Sequence, residues 1–156
     1  MVTTVVTSNQ DAIVSEVEIS APPERVFQAL TDPKQLMQWW TNDACATELW
    51  EMEARDGGKW RFVTRKPSTG QNSTEIFGEI VEFDPPHRLA YTWLSTWHDQ
   101  PEQRTVVRWE LSRVGHGTRV KMTHSGLSTQ PVARKGYAGG WPGVVEQLKN
   151  FVERIR

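Results

Sequence analysis

Between residues 46 and 125 short runs of alternating apolar and polar residues follow one another, and a single long helical stripe comes after them. This order constrains the fold more than any other feature of the chain. ATELWEMEA (46–54) leads into Asp56-Gly57-Gly58, a hairpin-turn signal, and KWRFVTR (59–65) returns from it. PSTGQNS (67–73) reads as a loop, TEIFGEIVEF (74–83) as a strand, and Asp84-Pro85-Pro86 as a turn. RLAYTWLSTW (88–97), TVVRWELS (105–112) and TRVKMTH (118–124) complete the series, with Gly115 and Gly117 around the last turn. Then Trp141, Val144, Val145, Leu148, Phe151, Val152 and Ile155 recur at spacings of three and four. Such spacing gives a helix one continuous apolar face.

The region before this meander is built differently. Residues 1–12 show no clear face and read as a flexible tail, leaving 13–156 as one domain. VSEVEIS (14–20) alternates Val17 and Ile19 with Glu16 and Glu18, as a half-buried strand does. APPERVFQALTD carries two prolines suited to a helix start, and Asp32-Pro33 opens a second short helix bearing Leu36, Trp39 and Trp40. One strand, two short helices, about six antiparallel strands and a long final helix define an α+β chain. The expected architecture is a curved antiparallel sheet wrapped around the C-terminal helix.

Composition narrows the function classes. A formal charge of −1 supplies no field toward nucleic acid or an anionic membrane, so neither is expected as a partner. The lone Cys45 excludes an internal disulfide framework, reads as a small buried residue, and fits a reducing compartment. The opening residues lack the cationic and apolar regions of a secretion signal, and no apolar run is long enough to span a bilayer. A cytoplasmic protein is expected, as a monomer or weak homodimer. His87, His98, His116 and His124 share no ligand spacing, Gly57-Gly58 and Gly139-Gly140 lack the context of a phosphate cradle, and no cofactor or metal is expected.

Several segments together resemble a known family. ISAPPERVFQALTDPKQLMQWW (19–40), ARDGGKWRF (54–62), GEIVEFDPPHRLAYTW (78–93), GHGTRVKMTHSGL (115–127) and the Gly140-Trp141 pair at the long helix occur in the order found in the START-like, or SRPBCC, superfamily. More narrowly, the chain resembles homologues of the activator of the heat-shock-protein-90 ATPase. The resemblance implies a helix-grip fold. It also implies three kinds of activity: binding of a hydrophobic small molecule, cyclase-like or dehydratase-like catalysis, or modulation of a chaperone partner.

Eight tryptophans in 156 residues form either a heavily aromatic core or a wall that receives a ligand. Trp60, Phe62, Trp93 and Trp109 share the phase of the concave face, and Trp39 and Trp40 come from the second short helix near its opening. With Met122, His124, Trp141, Val145 and Leu148 they make up the expected ligand-binding set, lining a hydrophobic cavity between the sheet and the C-terminal helix that holds a small hydrophobic or aromatic molecule. His124 shares a face with Val120 and Met122, so it points inward, either satisfied by a neighbouring loop or available to a ligand or a proton. No catalytic residue stands out. Strand 74–83 is compatible with Ile76, Gly78 and Ile80 inward, or with Glu75, Phe77 and Glu79 inward. In GYAGGWPG (136–143) the glycine pair and Pro142 predict a helix break, with the main helix starting near Pro142. A short helix capped by Thr129 precedes it, and a flexible gate at 136–142 places Trp141 as wall or lid.

Overall fold

The computed structural model describes residues 2–40, 46–65 and 74–154. Cys45, the 67–73 loop and Ile155 lie outside them. In chain order the elements are β1 (Thr3–Val6), β2 (Ile13–Ile19), α1 (Pro23–Thr31), α2 (Pro33–Trp39), β3 (Ala46–Met52), β4 (Lys59–Arg65), β5 (Thr74–Asp84), β6 (Arg88–Ser95), β7 (Thr105–Val114), β8 (Gly117–Ser125) and α3 (Pro131–Arg154). The strands form one antiparallel sheet in the order β1-β2-β8-β7-β6-β5-β4-β3. The meander from β3 to β8 is therefore sequential, and β2 joins it by pairing with the last strand. Ile13, Ser15, Val17 and Ile19 of β2 are buried, as period-two alternation requires.

Residues read as a tail include β1, which pairs with β2 from Thr3↔Glu16 to Val6↔Ile13. Its side chains are mostly exposed, so it carries no apolar pattern by which a sequence reading could find it. At the start of α2, the Asp32 carboxylate accepts the Lys34 backbone N–H at 3.0 Å and caps the helix. Leu36 and Trp39 are its buried face. The two phases left open for β5 resolve to Ile76 and Ile80 inward, with Glu75, Phe77 and Glu79 exposed. The register pairs Phe62 with Ile76 and Tyr91 with Ile80, so the apolar faces of neighbouring strands coincide. Gly78 marks a close approach: a Cβ there would stand 2.0 Å from the Thr92 carbonyl oxygen. The Thr92 hydroxyl enters the ladder at this point and accepts the Glu79 N–H at 2.8 Å.

The expected break before Pro142 does not occur. α3 is one helix from Pro131 to Arg154 with Pro142 inside it. Local preferences favour a break, since proline removes a backbone donor and glycine is a weak helix former. Packing overrides them. Ala133, Trp141, Val145, Leu148 and Val152 are buried, and the partly buried Tyr137 packs with them. This single face spans both sides of the proline, so one continuous helix buries more than two separate halves would. Nor does Thr129 cap the helix. The carboxylate of Asp99, in the β6–β7 loop, accepts the N–H groups of Val132 and Ala133 at 3.2 and 3.0 Å. The buried Gln130 side chain fastens the same loop, accepting from Gln100 N at 2.8 Å and donating to Gln100 O at 2.9 Å.

Candidate functional site

Between sheet and helices lies a continuous body of aromatic rings. Trp40, just past the end of α2, is its hub, with ring centroids 5.1 Å from Trp39, 5.0 Å from Trp50, 5.7 Å from Phe62, 6.1 Å from Trp93 and 5.7 Å from Trp141. Trp60 stacks on Trp50 at 5.6 Å and tilts against Trp93 at 5.2 Å. Trp109 reaches the group through Trp141, at 6.0 Å and near a right angle. Offset and edge-on contacts of this kind are the favoured geometries of paired rings. Trp39, Trp40, Trp60, Phe62, Trp93, Trp109, Met122, His124, Trp141, Val145 and Leu148 are all buried here. Met122 faces Trp109 across the β7–β8 ladder.

His124 is fully buried among these rings and its hydrogen bonds run in one direction. An indole N–H only donates, so Trp141 Nε1–H, 3.0 Å from His124 Nδ1, makes that nitrogen an acceptor. The imidazole proton therefore sits on Nε2 and donates to Thr105 Oγ1 at 2.8 Å, and the Thr105 hydroxyl donates to the Trp93 carbonyl at 2.7 Å. Burial, with a smaller contribution from a charge on nearby His98, lowers the His124 pKa to about 3. Of the two roles left open for this residue, the structure supplies the satisfied one. Its partners come from β7 and α3, not from a neighbouring loop.

A second polar knot sits where the β6–β7 loop meets α3. The Tyr137 hydroxyl accepts Trp93 Nε1–H at 2.8 Å and shares a second hydrogen bond with His98 Nε2 at 2.7 Å. The other ring nitrogen, His98 Nδ1, is buried and has no partner. Burial lowers the His98 pKa against the opposing charge of Asp99, and raises that of Tyr137, so both groups are neutral at pH 7. Trp97, half-exposed, covers this knot at 5.1 Å from each ring. Residues 98 and 124, distant in sequence, thus meet on Tyr137, which the spacing of the histidines does not reveal.

Trp50 is the other residue that sequence reasoning missed. Five interior indoles have acceptors: Trp39 donates to Ala29 O, Trp60 to Thr92 O, Trp93 to Tyr137 Oη, Trp109 to Tyr91 Oη and Trp141 to His124 Nδ1. Trp50 Nε1–H, equally buried, has none. The Thr47 hydroxyl donates to the Trp40 carbonyl and so ties β3, which carries Trp50, to the end of α2. The signal was present in the sequence as the Trp50–Met52 alternation against Glu51. Among the described residues no Asp, Glu, Lys or Arg is buried, so the interior holds no formal charge.

On the outer face of the sheet a groove of about 850 Å³ crosses β3 to β6, with Phe77, Leu94 and Thr92 among charged neighbours such as Arg61, Glu75 and Arg104. Arg61 bridges Glu51 and Glu75 along one wall. Of the residues assigned to a ligand wall from sequence, Trp60 alone borders this groove.

A curved antiparallel sheet closed on a long C-terminal helix, with a short helix pair after the first interior strand, is the helix-grip architecture of START-like proteins, a scaffold generally used for ligand binding. The family model described as Activator of Hsp90 ATPase homolog 1-like protein matches residues 20–153, so the chain belongs to that family. Among solved structures, it is similar to protein CV1439 from Chromobacterium violaceum, at 26% identity over 92% of this chain and 97% of that one, TM-score 0.81. Protein MLL2253 from Mesorhizobium loti is 26% identical over 93% and 98% of the two chains, TM-score 0.71. A Rhodobacter sphaeroides protein at 22% identity shares the fold over 99% and 97%, TM-score 0.81. No curated protein matches the sequence. Among the described residues no helix is long and apolar enough to cross a membrane.

Proposed function

We propose that the protein binds a small apolar or aromatic molecule among the rings between the sheet and α3. The observation that carries this reading is the arrangement around Trp40, where five aromatic side chains from α2, β3, β4, β6 and α3 converge on one indole. Flat faces from independent elements can part around a flat guest, and apolar area removed from water supplies the affinity. His124 contributes as a fixed strut and is too weak a base to move a proton. A proton-transfer role in a cyclase-type reaction falls instead to the Tyr137–His98 pair, where a phenol and an imidazole share a hydrogen bond of 2.7 Å.

A second reading, partner binding through the outer face, is favoured by the groove around the exposed Phe77. One titration separates the two. Intrinsic tryptophan emission is followed as flat apolar compounds are added to wild type, Trp40→Leu and Phe77→Glu. A saturable change lost only in Trp40→Leu supports the interior site. No saturable response across the set of compounds overturns it.

A further inference from the structure

Resting on the interior-binding reading, we infer that the ligand is an uncharged aromatic molecule carrying a hydrogen-bond acceptor, such as a carbonyl, and that Trp50 Nε1–H is the group that receives it. Two independent observations converge on this chemistry. The first is the unpaired indole donor. Buried polar groups in folded proteins nearly always have partners, and an exception asks for an explanation. Here the contrast is internal, since five other interior indoles have acceptors and Trp50 has none. A buried donor without an acceptor forfeits the hydrogen bond it had with water. An acceptor arriving on the guest restores that bond only when the guest is bound.

The second observation is the electrostatic character of the interior. With no buried carboxylate, ammonium or guanidinium among the described residues, a charged guest would meet no counter-charge. The interior titratable groups His98, His124, Tyr91 and Tyr137 all favour their neutral forms because burial disfavours the charged ones. An ion brought there would lose its hydration without compensation. Trp50 also sits among flat apolar faces suited to an aromatic guest: Phe62 stacks on it at 4.6 Å and Trp60 at 5.6 Å.

The test compares naphthalene, 2-acetylnaphthalene and 2-naphthoate at pH 8 against wild type and Trp50→Phe, by tryptophan emission and calorimetry. The phenyl ring keeps the stack and removes the donor. The ketone is expected to bind wild type about five-fold tighter than naphthalene, the typical worth of one hydrogen bond. That ratio should fall to about one in Trp50→Phe, and naphthoate should bind more weakly than either. If naphthalene binds and the ketone gains nothing over it, or if the ratio survives in Trp50→Phe, the assignment to Trp50 is overturned while interior binding stands. Naphthoate binding as tightly as the ketone overturns the uncharged class. Failure of all three compounds to bind overturns interior binding itself. Should Trp50→Phe not fold, ¹⁵N-labelled wild type decides: the Trp50 indole proton moves downfield with the ketone and not with naphthalene, and an unmoved resonance refutes the inference.

Discussion

Lowering the pH should destabilise this protein through His124 well before its carboxylates titrate. In the folded chain His124 is neutral, locked between Trp141 N–H and Thr105 Oγ1, with a pKa near 3 against an ordinary 6.5. Unfolding releases it to bind a proton. Below pH 6.5 the unfolded state therefore holds more protons than the folded one, and stability falls with pH down to the folded pKa. From pH 7.5 to 5.0 about 1.5 pH units of that window are crossed, which at 1.36 kcal/mol per unit costs about 2 kcal/mol. Asp11, Asp99 and Glu153, whose pKa values are lowered, begin to withdraw their stabilisation only below about pH 5. His98 acts in the same direction as His124, so the measurement must isolate one from the other. Urea unfolding at several pH values between 7.5 and 5.0 is compared for wild type and His124→Gln. The variant loses stability from the missing ring at every pH, but its slope against pH should be shallower, by about 2 kcal/mol over the range. Parallel lines would refute the claim that His124 is held neutral by its surroundings.

Three further outcomes follow from backbone geometry. Gly139→Ala and Gly140→Ala should each stabilise by about 0.5–1 kcal/mol in thermal melts, because the added methyl meets open space and the unfolded chain loses freedom. A lowered midpoint would mean that the glycines are needed for something other than the helix. Gly78→Ala should cost at least ~3 kcal/mol or abolish folding, since its Cβ would collide with the Thr92 carbonyl and hydroxyl. A soluble variant with a wild-type melt would contradict the close approach of β5 and β6. Asp32→Ala should cost about 1 kcal/mol through loss of the α2 cap, read by urea midpoint, with Asp32→Asn recovering most of it.

The strand series and the helix pair were legible because their signals are local: alternation, proline positions and turn residues. What failed to show locally was decided across the sheet. The phase of β5 looks ambiguous because Phe77 sits among glutamates and Gly78 among isoleucines, and only the pairing with Phe62 and Tyr91 turns Ile76 and Ile80 inward. The continuity of α3 was masked by Gly139-Gly140 and Pro142, although Ala133, Tyr137 and Trp141 at spacings of four already trace one stripe. His124 was placed on the inward face by alternation with Val120 and Met122. Its partners Thr105 and Trp141 belong to other elements, as does the Asp99 cap of α3. Trp50 went unnoticed because its distinction is a missing bond, and an absence is visible only once every neighbour is in place.

The sheet order also bears on how the chain acquires its structure. β2 has β1 on one side, but its other edge finds a partner only in β8, with Ile13 opposite His124 and Ile19 opposite Thr118, and Asp11 holds the turn after β8 through the N–H groups of Gly126 and Ser128. Pairings so far apart in sequence must close a large loop before they gain anything, which slows folding. As the ribosome releases the chain, the meander from β3 to β7 can assemble by successive hairpins while the edge of β2 away from β1 waits without a partner. Two strand edges, on β2 and β7, therefore stay open until β8 emerges. During synthesis, more than after it, this protein is exposed to mispairing with other chains.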